Sequence, residues 1–142
     1  MPRKKHSKKG ISAMSVLSAK MNFSFLCDYA SVSREGKLSL NGIFENINVR
    51  AFPAQHPLMF AVANISGVNN GDKFTCEVVK NDAGQKKLAT IIQEIKADAR
   101  RNFGFIGQFV NVRYDEPGDY AIKFFIDNKE IGSHHFLVQA VV

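Results

Sequence analysis

FGFIGQFVNVRYDEPGDYAIKFFIDNKEIGSHHFLVQAVV, residues 103–142, decides the fold class. Three strand-like runs are separated by two turn signals, Asp115-Glu116-Pro117-Gly118 and Asp127-Asn128-Lys129. In the middle run Tyr120, Ile122, Phe124 and Ile126 share one parity. Ala121, Lys123, Phe125 and Asp127 share the other. A period of two puts the first set on one wholly apolar face of a strand, whereas helical spacing would mix the sets. Pro117 suits a corner because its φ is fixed and it has no N–H to offer a ladder. Gly118 supplies permissive backbone.

The rest of the chain carries the same signals. In residues 22–32, Phe23, Phe25, Cys27 and Tyr29 share a face and Asp28 lies on the other. After the turn Ser33-Arg34-Glu35-Gly36, Leu38, Leu40 and Phe44 are in phase, but Ile47, Val49 and Ala51 take the opposite parity. That shift predicts a β-bulge or break near Glu45-Asn46; the alternative reading is that Gly42 marks close backbone approach. Residues 52–57 read as a loop with two prolines. Residues 58–65 are apolar almost throughout, as in a central strand covered on both faces. Asn69-Asn70-Gly71 and Asn81-Asp82-Ala83-Gly84 are hairpin turns around 73–80, whose Phe74, Cys76 and Val78 point inward. Residues 86–101 are ambiguous: Leu88, Ile91, Ile92 and Ile95 fit helical spacing, but the β-branched run Thr90-Ile91-Ile92 favours a strand. A strand over 86–95 is expected, with a helical turn open at 96–101.

The expected fold is therefore all-β: an antiparallel two-sheet sandwich, immunoglobulin-like, of about eight strands. Tyr120, two residues after Gly118, matches the tyrosine corner of such sandwiches, where the phenol bonds nearby backbone. Pro117, Gly118 and Tyr120 are read as a structural corner.

Charge divides the chain. Residues 1–20 hold Arg3, Lys4, Lys5, Lys8, Lys9 and Lys20 and no acid: six of 19 basic residues, which leaves 13 against 13 acids. The net charge of +6 thus belongs to an arm, and the domain over 21–142 is formally neutral. The arm lacks aromatics and is rich in Lys and Ser, a composition expected to be disordered. It makes a poor signal peptide, and Met14 and Met21 are alternative starts. No apolar run approaches the ~18 residues of a membrane span, and a cytoplasmic location is expected. Cys27 and Cys76 read as buried free thiols, with a disulfide open if their strands face each other.

The stretch from Cys27 to Ile47 resembles a family of uncharacterised bacterial proteins. The carriers are Asp28-Tyr29, Gly36-Lys37-Leu38, Leu40, Gly42-Ile43-Phe44 and Phe52-Pro53, with PGDYAIKFFIDN closing the match. The resemblance runs from about Phe23 to the end, omits the arm, and implies a bacterial or phage-borne β-sandwich. It brings no known activity and no catalytic residues.

No Ser-His-Asp set, HExxH, P-loop or GxGxxG context stands out, so no catalytic, cofactor or metal residues are assigned and no enzyme is expected. His134 and His135 are adjacent in a strand and point to opposite faces, so they do not share one metal. Asp115, Glu116 and Asp119 are read as solvating their turn rather than holding calcium. The expected function is a non-enzymatic binding or structural module in a larger protein assembly, through a protein partner or self-association at the apolar run of residues 136–142. An alternative is nucleic-acid or polyanion binding by Arg3, Lys4, Lys5, Lys8, Lys9 and Lys20. A second alternative is a small-molecule or glycan-binding sandwich, using loop residues such as His56, Arg100 and Arg101.

Overall fold

The computed structural model describes residues 19–141. They form nine strands: β1 (Lys20–Val32), β2 (Leu38–Ile43), β3 (Asn46–Val49), β4 (Ala54–Ser66), β5 (Lys73–Lys80), β6 (Lys87–Glu94), β7 (Asn102–Tyr114), β8 (Gly118–Ile126) and β9 (Lys129–Ala140). The first sheet has the order β2-β1-β4-β7 and the second β3-β9-β8-β5-β6. Every neighbouring pair is antiparallel except β3 and β9.

The alternation of β8 is realised as read. Tyr120, Ile122, Phe124 and Ile126 are all buried in the interior between the sheets. The Phe74 ring meets Phe105 at 4.7 Å, Phe103 at 5.2 Å and Phe124 at 6.2 Å between centroids. Tyr114 stands edge-on to Tyr120 at 5.0 Å and to Phe136 at 6.1 Å. The Tyr120 hydroxyl donates to the Glu116 carbonyl at 2.6 Å, spanning the Pro117-Gly118 corner.

The shift of parity after Phe44 turns out to be a change of sheet. β2 belongs to the first sheet and β3 to the second, so one expected strand becomes two and the count rises from eight to nine. β3 then runs parallel to β9, which an all-antiparallel expectation did not include. At Gly42 φ is +68°, and a Cβ there would fall on the Asp28 carboxylate, so close approach is the role of that glycine.

Three further expectations are corrected. β4 begins at Ala54, so His56 and Pro57 lie in a strand rather than a loop. Around Pro57 and its opposite number Asn111 (φ +55°) β7 changes face: Val110 is exposed, while Val112 and Tyr114 turn into the core. The segment between β6 and β7 forms no helix but one turn, closed by the Arg101 N–H on the Asp98 carbonyl at 3.0 Å, and the Asp98 carboxylate accepts the N–H groups of Arg100 and Asn102 at 2.9 and 2.8 Å. Finally, β9 lies between β8 and β3, so residues 136–140 are not a free edge.

Both cysteines are buried and free. Cys76 belongs to the interior and Cys27 to a separate apolar cluster, so the disulfide alternative is not realised. Burial raises the thiol pKa of each above its ordinary value, most for Cys76, which marks them as unreactive packing residues.

Candidate docking surface

The apolar stripe of β1 does not point into the sandwich. Leu26 supplies the core contact, while Cys27 and Ala30 form a second cluster with Phe60 and Val62, flanked by Phe23 and Leu40. Register explains this: Phe25 lies opposite Val62 and Cys27 opposite Phe60, on the outer face of the first sheet. The Tyr29 ring stands edge-on to Phe60 at 5.4 Å. Parity tells which side chains share a face, not which face is covered.

β4 and β7 extend the same outer face. Met59, Ala61, Ala63 and Ile65 point inward, so Leu58, Phe60 and Val62 point outward. In β7 Phe103, Phe105 and Phe109 are buried, while Ile106 (37% exposed) and Val110 (60%) look out beside Gly104 and Gln108. Over Phe23–Tyr29, Leu58–Asn64 and Gly104–Val110 these outward positions include no Lys, Arg, His, Asp or Glu. At one end Asn22 donates to Asn64 at 2.8 Å and accepts from Ser66 at 3.4 Å.

Part of this face is roofed. β1 pairs with β4 only as far as Cys27; beyond it, Tyr29 to Val32 pair with β2 alone. The tip of that hairpin folds back, and Val32, Gly36 and Leu38 line a cavity of about 340 Å³ with Phe23, Val62 and Ile106. The roof is why Phe60 and Val62 are 3% and 1% exposed although they face away from the core. Tyr29, Ile43, Leu58, Ile106 and Val110 stay open to solvent around it.

The outer face of the second sheet is unlike this. There Glu77 pairs with Lys87 at 3.0 Å, and Lys123 with Glu130 at 3.4 Å and Gln85 at 3.0 Å, around a shallow cavity of about 380 Å³. A third cavity of about 360 Å³, between β6 and β7, is rimmed by Lys80, Lys86, Arg113, Asp115 and Glu116. Its charges are matched: Lys80 with Glu116, Lys86 with Asp115 at 3.4 Å, and Arg113 with Asp115 at 2.7 Å.

Comparison with known proteins names the family. A model for a family of unknown function, DUF6941, matches residues 22–139. The chain belongs to DUF6941. The resemblance read around Asp28-Tyr29 pointed to a family without known function, and this is one. No curated protein matches the DUF6941 chain in sequence. Among solved structures it is similar to the alkylpurine DNA glycosylase AlkC of Pseudomonas fluorescens bound to DNA with an abasic site analog, at 10% identity and TM-score 0.52. That match covers 92% of this chain and 32% of the glycosylase, so the chain spans about a third of its length. It is also similar to an immunoglobulin-like protein from Pseudomonas aeruginosa (9% identity, TM-score 0.45, 86% of this chain and 97% of that one). A β-glucosidase from Listeria innocua in complex with isofagomine follows at 7% identity and TM-score 0.45, over 88% of this chain and 17% of the enzyme. At such identities the glycosylase match speaks to the sandwich fold alone.

The remaining singled-out residues of the DUF6941 chain do not converge. His134 and His135 take opposite faces, as adjacent strand residues must. His134 reaches across to β1, its Nδ1 3.2 Å from the Ser24 hydroxyl. His135 lies near Asn81 and Asp119, whose side chains bond each other at 2.8 Å. The serine-histidine contact was not read from the sequence, because 110 residues separate the two. Asp115, Glu116 and Asp119 each turn to a different side-chain partner. His56 is half-buried against Phe44, Arg101 donates to the carbonyls of Val68 and Gly67, and Arg100 is exposed in the same loop. These three line none of the cavities above. Of the arm's basic residues only Lys20 is described, exposed at the start of β1; Arg3, Lys4, Lys5, Lys8, Lys9 and His6 lie outside the described residues.

Proposed function

We propose that this DUF6941 protein is a non-enzymatic docking module of a larger protein assembly, and that its docking surface is the outer face of the first sheet. One observation carries the reading: over Phe23–Tyr29, Leu58–Asn64 and Gly104–Val110 that face is largely apolar and free of formal charge, while the outer face of the second sheet is laced with ion pairs. Contiguous exposed apolar surface on a soluble domain marks interaction sites. The Ser24–His134 contact fits a tie between the two sheets, since it joins β1 to β9 across the sandwich.

The test compares wild-type protein with a Leu58→Glu/Val110→Glu double variant, both sites being exposed. Wild type is expected to purify from its native source with a protein at fixed stoichiometry, or to self-associate, and the double variant to do neither. Light scattering that finds both proteins monomeric and unaccompanied removes the reading.

A second reading keeps the arm. Six basic residues without an acid can sit on phosphates without reading bases. The glycan-binding reading has no comparable support, because His56, Arg100 and Arg101 share no cavity.

A further inference from the structure

We infer that the partner is a second copy of the same chain, joined to the first at the β7 edge of this surface by antiparallel pairing of β7 with β7 about a two-fold axis at Ile106. The inference rests on the docking reading and adds to it the identity of the partner.

Four strands end the two sheets: β2, β7, β3 and β6. β3 has four residues, β2 is six residues long with Gly42 at φ +68°, and β6 carries Lys87 and Glu94 at its ends. β7 has 13 residues, and from Asn102 to Val112 it holds no charged residue and no proline. These are the devices by which an edge is ordinarily protected. Alternate N–H and C=O groups of an edge strand face away from its neighbour, and over Phe103–Val110 no described group outside β4 bonds them.

The strand is built to pair with itself. Its regular stretch is bounded by two left-handed residues, Arg101 (φ +63°) and Asn111 (φ +55°), and the midpoint between them is Ile106. Antiparallel pairing centred there sets Ile106 against Ile106 on the apolar outer face, Gly104 against Gln108, and Asn102 against Val110. No like charges meet within the ladder. Beyond it, Lys96, Asp98, Arg100 and Arg101 precede the ladder while Arg113, Asp115 and Glu116 follow it, so each copy brings an end of net charge +2 to the other's end of net charge −1. Asp115 and Glu116 already have partners in their own chain, so this match sets orientation more than affinity. The contact is isologous and closes as a dimer. It would join two four-stranded sheets into one of eight and make a continuous apolar face.

Sedimentation velocity over a concentration series tests this on the full chain, because a nine-residue ladder is smaller than the ~800 Å² per partner of a standard interface. Wild type is expected to dimerise. Ile106→Lys and Ile106→Glu are each expected to be monomeric, since like charges then oppose at the axis, and an equimolar mixture of the two is expected to recover the dimer. Ile106→Cys supplies an independent readout. A residue opposite itself falls within disulfide reach, so it should cross-link on oxidation while Thr90→Cys on β6 does not. A wild-type monomer throughout the series overturns self-pairing. If that monomer still holds a stoichiometric partner that Leu58→Glu/Val110→Glu releases, the docking reading survives alone. A dimer untouched by Ile106→Lys, or cross-linked through Thr90→Cys instead, also overturns the inference.

Discussion

Tyr120 packs its ring beside Phe136 at 5.9 Å and lends its hydroxyl to the Glu116 carbonyl, so one side chain fixes both the core and the corner that leads into β8. The carbonyl belongs to a turn that Pro117 and Gly118 bend away from any ladder, and Tyr120 is the group that satisfies it. Removing the hydroxyl leaves the ring packing intact. Tyr120→Phe is therefore expected to lower the stability by about 1–2 kcal/mol, the range for a hydrogen bond whose partner stays in place. Urea denaturation at neutral pH reads this directly, and an unchanged midpoint would show that water replaces the phenol. Residues of this kind were legible in the sequence, because corner and alternation are local. Gly42 was legible only as a mark, since its reason is the Asp28 carboxylate fourteen positions away.

At the scale of elements, what could be read was which side chains share a face; what could not was where each face goes. β8 has one apolar parity and it faces the interior, where the first sheet covers it. β1 has an apolar parity too, yet that parity lies outside, because the strand uses Leu26 and Ser24 to meet the second sheet. The two halves of residues 37–51 differ in parity for a similar reason, since the chain leaves one sheet for the other between them. The tie that Ser24 makes to His134 has a consequence for pH. Burial lowers the pKa of His134, and likewise that of His56, below the usual imidazole value, although Glu45 and Asp28 respectively work against it. A histidine depressed in the folded state binds protons more weakly there than in the unfolded chain. Its contribution is whole above the unfolded value near ~6.5 and is lost as the pH falls through and below that value. Asp115, which its bond to Arg113 holds below the ordinary carboxylate range, gives way only in more acidic solution, and Asp72, raised by burial, works in the opposite sense there. Thermal unfolding at pH 7.5, 6.5 and 5.5 (roughly one pH unit either side of the imidazole value) should thus show a falling midpoint, and His134→Asn should flatten the fall. A wild-type profile that is level over this window would mean the two imidazoles stay wet.

At the scale of the whole molecule, charge is sorted into three places. Over Phe23–Tyr29, Leu58–Asn64 and Gly104–Val110 the outer face of the first sheet carries none, with Lys20 and Arg113 only at its ends; the outer face of the second carries pairs, and the excess of +6 lies within residues 1–20. From Met21 onward 13 basic residues balance 13 acids, so the long-range field of the protein comes from the arm. Contacts between lysines and phosphates release counterions, which makes affinity fall steeply with salt. If all six arm residues engage duplex DNA, the logarithm of the binding constant should fall with the logarithm of salt at a slope of about −5. A chain beginning at Met21 keeps both sheets but none of the six bases, and is expected to bind neither DNA nor RNA. Fluorescence anisotropy with labelled duplex and single strands, over a salt series and with both chains, separates the outcomes. A steep slope for the full chain alone assigns polyanion binding to the arm and leaves the uncharged face free for protein contacts. Equal weak binding by both chains would end the arm reading, because a balanced body gives no reason for phosphates to prefer either.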